Sequence, residues 1–103
     1  EGKCREQILS GRGVGPYAEK ARGAIYWDRN DSHGLSPLEL IRRAAPMHSE
    51  IFRPGLAKLA RLSPEVFDGI VSRVPDEWIT ATAREFAVAL MCYNLGELRK
   101  IPV

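Results

Sequence analysis

The chain has 103 residues, of which 45% are hydrophobic and 27% charged. This composition is typical of one globular domain, and the length is too short for a large bilobal enzyme. The longest strictly apolar run, residues 86–93, is far below the roughly 20 residues that a membrane-spanning helix needs. The net charge of +2 is too small to indicate a nucleic-acid partner. We therefore expect one domain over residues 1–103, with no membrane segment and a cytoplasmic location.

Charge is distributed unevenly along the chain. Residues 1–61 carry 11 basic and 7 acidic side chains, whereas residues 62–103 carry 4 basic and 6 acidic ones. Eleven of the fifteen basic residues are arginines, which suit two-point contacts with carboxylates or phosphates better than lysines do. The basic first half indicates either a binding face or an ordinary solvated face.

The first predicted helix starts near Pro16, because Tyr17, Ala21 and Ile25 then fall on one helical face. It follows a glycine-rich segment, residues 11–16, that lacks the lysine of a phosphate-binding loop. We interpret this segment as a connector.

The second predicted helix begins with a capping-box pattern. Ser36 supplies the cap, Pro37 occupies the first helical position, and Glu39 stands three residues after the serine. Pro46 should end this helix near Ala45.

Two further helices follow. Pro54 can open one that continues to Leu62, and the pair Ser63-Pro64 repeats the cap-and-proline pattern at the start of the next. Pro75 should end that helix. Its apolar residues recur at helical spacing and are Val66, Phe67, Ile70, Val71 and Val74.

The last predicted helix begins with a capping box from Thr82 to Glu85 and continues to about Lys100. Its interior is apolar on every side, which indicates a central helix, and Trp78 should cover its start. No segment alternates with period two for long enough to predict a sheet. The sequence therefore predicts an all-α fold, a compact orthogonal bundle of five or six short helices around a long C-terminal helix.

Residues 28–39 lead into the second helix, and oxygen-bearing side chains occur at positions one, three, five, nine and twelve of this segment, counted from Asp28. This spacing resembles that of an EF-hand loop, and the resemblance implies a calcium site. His33 stands at position six, where EF-hands have glycine, and the other interpretation is a polar turn that bends the chain and caps the next helix. The implied calcium ligands, at positions one, three, five, nine and twelve, are Asp28, Asn30, Ser32, Ser36 and Glu39.

Residues 56–71 resemble the helix-turn-helix of DNA-binding repressors, with Ser63 capping the second helix and Phe67 and Ile70 facing inward. That second helix would present Glu65 and Asp68 to the DNA, and carboxylates repel phosphates. We expect two helices that meet at a tight corner rather than a DNA-binding motif, and we expect no nucleic-acid partner.

A Pro-acidic-Trp turn precedes the last predicted helix and consists of Pro75, Asp76, Glu77 and Trp78. With this turn, residues 73–101 resemble the closing helical segment of HipA-like kinases, and a weaker similarity begins near residue 51. The resemblance implies an all-helical C-terminal lobe from proteins whose parent activity is protein phosphorylation with ATP and magnesium. The catalytic and nucleotide-binding motifs of that family do not carry over, so we expect no kinase activity.

No catalytic set is recognisable in the sequence. The two histidines, His33 and His48, have no nucleophile motif beside them, and Cys4 and Cys92 are expected to be free thiols. We predict a non-enzymatic protein-binding module without a cofactor. The alternatives are a single calcium site and, third, DNA binding. The predicted contact residues lie in the basic half and are Arg42, Arg43, Arg53 and Arg61.

Overall fold

The computed structural model describes residues 13–103, in which five α-helices and one 3₁₀ turn form and no strand occurs. This confirms the all-α prediction. None of the helices within residues 13–103 combines the length and the hydropathy that a membrane-spanning helix requires. The helices are α1 (Val14–Lys20), α2 (Pro37–Met47), α3 (Ser49–Ala60), α4 (Pro64–Val71) and α5 (Ala81–Leu98), and the 3₁₀ turn is Asp76–Trp78.

Helix α5 lies at the centre of the packing. Each of the four other helices packs against it, and α2 also packs against α1 and α3. From Thr82 to Leu98 every side chain except that of Glu85 is at least partly buried. The expectation that the last helix is the central one is therefore confirmed, and its apolar composition on all sides explains the arrangement.

Side-chain hydroxyls cap two of the helix starts. The Ser36 Oγ accepts a hydrogen bond from the Glu39 N–H at 3.1 Å, as the sequence predicts. At the start of α5, the Thr80 Oγ1 accepts from the Ala83 N–H at 3.0 Å, so the predicted cap at Thr82 was placed two residues too late. Each cap satisfies an N–H that has no partner within its helix and contributes about 1 kcal/mol.

Two arginines at opposite ends of α5 cap the C-terminal ends of neighbouring helices. Arg84 donates to the carbonyl oxygen of Val71, the last residue of α4. Arg99 donates to the carbonyl oxygen of Ala60, the last residue of α3, at 3.0 Å. Cations are favourable at helix C-termini, so these contacts stabilise α3 and α4 where each ends beside α5.

The predicted helix boundaries at two prolines were wrong. Pro46 lies inside α2, which continues to Met47, and Pro54 lies inside α3, which begins at Ser49. A proline leaves the carbonyl oxygen four residues earlier without its helical donor. Both prolines are exposed, so water can hydrogen-bond to the freed oxygens on that side of each helix.

Three other expectations need correction. Helix α1 begins at Val14, before the predicted start at Pro16, and ends at Lys20, so Ile25 is outside it and exposed. Helix α4 ends at Val71, and Val66 and Ile70 on its predicted inner face are exposed.

The third correction concerns Trp78, which is 77% exposed and does not cover the start of α5. The N-terminal part of α5, which includes Arg84, contacts α4 instead, and the indole in the 3₁₀ turn is largely exposed to solvent. Of the two cysteines, Cys92 is a free thiol, as expected, and Cys4 lies outside the described residues.

Candidate functional site

The loop between α1 and α2 is closed at its base by backbone hydrogen bonds. The Gly23 N–H donates to the Leu35 carbonyl oxygen at 2.8 Å, and the Leu35 N–H donates to the Ile25 carbonyl oxygen at 2.9 Å. Gly34 is buried, and a Cβ atom there would lie 1.9 Å from the Gly23 carbonyl oxygen. The two sides of the loop can approach this closely only because Gly34 has no side chain.

Polar side chains bend the chain at the tip of this loop. The Asp28 Oδ1 accepts a hydrogen bond from the Asn30 N–H at 2.9 Å, which forms an Asx turn. The Asp31 Oδ2 accepts from the Asp28 N–H at 3.1 Å, and the Asp31 N–H donates to the Asp28 carbonyl oxygen at 3.0 Å. The aspartates therefore stabilise the turn itself.

The predicted calcium ligands are spread over this turn and the start of α2. Asp28 forms the Asx turn, the buried Ser36 caps α2, and the Glu39 carboxylate contacts arginine side chains of its own helix. Within residues 13–103, no group of three or more His, Cys, Asp or Glu side chains is arranged to hold a metal ion. The other two predicted ligands, Asn30 and Ser32, are exposed.

The backbone at position six of the EF-hand-like segment also differs from the resemblance. Gly13 is the one residue with a positive φ in the part of the chain that the structure describes. His33 and the following Gly34 therefore do not make the sharp turn for which EF-hands use glycine. The calcium hypothesis remains a prediction.

Large apolar side chains are exposed on the same loop. Ile25, Tyr26 and Trp27 are consecutive and 56%, 53% and 42% exposed. The Arg43 guanidinium lies over the Trp27 ring, 5.7 Å from its centroid, and the Arg43 Nε donates to the Glu39 Oε2 at 3.0 Å. We call Ile25, Tyr26, Trp27 and Arg43 the aromatic patch.

Arg42, the neighbour of Arg43, forms ion pairs with acidic residues of two other helices. Its Nη1 and Nη2 donate to the two carboxylate oxygens of Glu19 at 2.7 and 2.8 Å, and its Nη2 also donates to the Glu97 Oε1 at 2.8 Å. The Tyr93 hydroxyl donates to the Glu19 Oε2 at 2.6 Å. Arg42 on α2 therefore joins α1 and α5.

These contacts shift the acidity of the groups involved. The hydrogen bond from Arg42, followed by that from Tyr93, lowers the pKa of Glu19 to about 2, because both donors stabilise the carboxylate. The hydrogen bond to Glu19 also raises the pKa of Tyr93 above its ordinary value. Glu19 is therefore ionised throughout the physiological range.

The four predicted contact arginines fall into three settings. Arg42 is engaged inside the bundle, and Arg43 belongs to the aromatic patch. Arg53 is exposed on α3, and Arg61 is exposed directly after the end of this helix. Neither has an ion pair with any residue between 13 and 103. Neither Tyr26 nor Trp27 was among the predicted contact residues, although three consecutive large apolar residues before a polar turn were a visible signal.

The segment that resembles a helix-turn-helix forms α3 and α4, but these helices do not pack closely against each other. Each packs against α5 instead. Ile70, which that interpretation places between the two helices, is 52% exposed. The mutual packing that holds a recognition helix against its partner is therefore missing from this pair.

No protein-family model, no curated protein and no solved structure matches this chain. The resemblances to EF-hand loops and to HipA-like kinases remain predictions.

Proposed function

We propose that this protein is a non-enzymatic helical module that binds another protein through its aromatic patch. The observation that carries the proposal is the exposure of Ile25, Tyr26 and Trp27 on a loop whose base is fixed by hydrogen bonds and by Gly34. A partner that covers these side chains gains about 25 cal/mol for each Å² of apolar surface removed from water.

The composition of the patch supports a protein partner. Tryptophan, tyrosine and arginine are the residues that most often dominate the binding energy of protein interfaces. Tyr26 and Trp27 lose little side-chain entropy on binding, because each has two rotatable side-chain bonds. An aromatic patch that includes one arginine therefore has the chemistry of an interface centre.

The arginine of the patch is positioned before a partner arrives. Arg43 is held by the hydrogen bond to Glu39 and by the face of Trp27. Ordering a long side chain at an interface costs about 0.5–1.5 kcal/mol, and much of this cost is already met in the free protein. Arg42, the preceding residue of α2, joins the same helix to α1 and α5 through its ion pairs. Arg53 and Arg61 lie outside this proposed surface.

Site-specific photo-crosslinking in cells tests the proposal. A benzophenone amino acid replaces Tyr26 in one version of the protein and Trp78, an exposed aromatic residue outside the patch, in another. We expect a defined crosslinked protein from position 26 that is not obtained from position 78. Combining the substitution at position 26 with Trp27→Ser or with Arg43→Ala should abolish the crosslinked product.

The control for these variants is Trp78→Ser, which should leave the crosslink at position 26 unchanged. Circular dichroism melting checks that every variant is folded. Identical products from positions 26 and 78, or a product that survives both Trp27→Ser and Arg43→Ala, would contradict the proposal.

A further inference from the structure

A groove of about 440 Å³ lies between α4 and α5. Among its lining residues the more buried apolar ones are small, Val71, Val88 and Ala89, and we call them the floor. The exposed Asp68 and Glu85 also line the groove. A floor of valine and alanine leaves room for a larger apolar side chain from outside. The groove therefore has space for an occupant.

The charges beside the groove are negative. Neither Asp68 nor Glu85 forms an ion pair or a side-chain hydrogen bond with the described residues. Arg84 also lines the groove, but its guanidinium donates to the Val71 carbonyl oxygen and to the Asp76 Oδ1 at 2.8 Å. An occupant with a basic group beside an apolar side chain would complement both carboxylates.

One face of α3 carries basic groups beside an exposed apolar side chain. The residues of this face follow one another at intervals of three, four and three positions, a spacing that places them on the same side of a helix. Ile51 is 68% exposed, no residue of α3 is buried, and the basic residues on this face have no ion pair among residues 13–103. We call this face the basic stripe, and its exposed residues are Ile51, Pro54, Lys58 and Arg61.

We infer that two copies of this chain associate, with the basic stripe of each copy on the groove of the other. Ile51 enters the apolar floor, and Lys58 and Arg61 lie opposite Asp68 and Glu85. A two-fold arrangement uses both contacts at once, because each copy contributes one stripe and one groove. This self-association is independent of the proposed function, since it involves neither the aromatic patch nor a second protein species.

Sedimentation equilibrium over a wide range of protein concentrations tests the inference. The protein should form a dimer, and salt should weaken it because the pairing charges are exposed. Two charge-reversed proteins, Lys58→Glu/Arg61→Glu and Asp68→Lys/Glu85→Lys, should each dimerise about tenfold or more weakly, as when like charges face each other across an interface. Mixing the two should restore the dimer, because opposite charges then meet at both contacts.

Arg53→Glu is the matched control, because Arg53 is exposed, has no ion pair with residues 13–103 and lies on a different face of the same helix. It should leave the dimer unchanged, whereas Ile51→Ser should weaken it. A wild-type protein that is monomeric at every concentration, a dimer insensitive to both charge reversals, or a mixture that does not recover the dimer would each overturn the inference. Trp27→Ser should leave the dimer intact, so failure here leaves the aromatic-patch proposal standing.

Discussion

Arg42 and Glu19, which are 23 residues apart, form a two-point ion pair that fastens α1 to α2. The same guanidinium reaches Glu97 on α5, and Tyr93 on α5 donates to Glu19. One arginine therefore connects three helices in a protein whose described residues include no large side chain that is completely buried. We expect such a polar network to help fix the alignment of the three helices, because each of its members is satisfied by a partner on another helix.

Replacing Arg42 with alanine should lower the free energy of unfolding by about 2 kcal/mol, because three charge-assisted hydrogen bonds are lost. Arg42→Lys should cost about 1 kcal/mol, since an ammonium group keeps the charge but cannot match both oxygens of Glu19. Urea unfolding followed by circular dichroism measures both effects. Arg53→Ala, which removes a surface arginine that forms no ion pair within the described part of the chain, should change the free energy of unfolding by less than about 0.5 kcal/mol. Equal effects of Arg42→Ala and Arg53→Ala would show that the network contributes nothing.

The low pKa of Glu19 predicts a loss of stability in acid. Its pKa is about 2 in the folded protein against an ordinary value of 4.5, so the folded state favours the ionised form. The resulting stability is fully present above pH 4.5 and is lost as the pH falls towards 2. We expect roughly 1 kcal/mol, because the Glu19 side chain is 35% exposed and solvent screens the pair.

Melting temperatures of the wild type and of Glu19→Gln, measured across this pH range, test the assignment. The wild type should be more stable near neutrality, and the difference should shrink as Glu19 becomes protonated. A difference that stays constant down to pH 2 would contradict it.

Substitution of Gly34 by alanine should destabilise the protein by about 2–3 kcal/mol, because a Cβ there overlaps the Gly23 carbonyl oxygen and forces the base of the loop open. Gly96→Ala is the matched control. It lies in α5, where a Cβ meets nothing within 4 Å, and should stabilise the protein by about 0.5–1 kcal/mol. Thermal unfolding distinguishes the two, and a Gly34→Ala protein as stable as the wild type would show that the loop base is not tightly closed.

Terbium luminescence separates the polar turn from a calcium site. Trp27 adjoins the EF-hand-like segment and would sensitise a terbium ion bound there. We expect neither the wild type nor Asp28→Asn to give terbium emission above background. The reason is that Asp28 forms the Asx turn and Glu39, at position twelve, contacts arginines. Calcium should also leave the melting temperature unchanged. Sensitised emission that Asp28→Asn abolishes would establish an ion site.

Local signals in the sequence were sufficient for part of the fold. Ser36 caps α2 as predicted, because a capping hydroxyl acts on an N–H three residues away. The central position of α5 follows from its apolar residues on every side. The helix boundaries predicted at Pro46 and Pro54 were wrong, because both prolines lie inside helices. A proline breaks a helix only when the lost hydrogen bond outweighs the packing on either side.

The candidate site was less predictable. The sequence predicted arginines of the basic half, Arg42 among them, as contact residues for a partner. Arg42 instead pairs with Glu19 and Glu97, which are 23 and 55 residues away, and no local pattern encodes these pairs. The exposure of Tyr26 and Trp27 depends on the closure of the loop base, which requires Gly23 and Gly34 to meet. Such contacts arise only when distant segments have already come together.

The position of α5 in the chain has a consequence for biosynthesis. Every earlier helix packs against residues that are translated after it. At about 5–20 residues per second, several seconds separate the synthesis of α1 from that of α5. During that interval the growing polypeptide carries apolar helical faces whose main partner does not yet exist, so the packing of these helices cannot be completed one helix at a time and has to wait for α5.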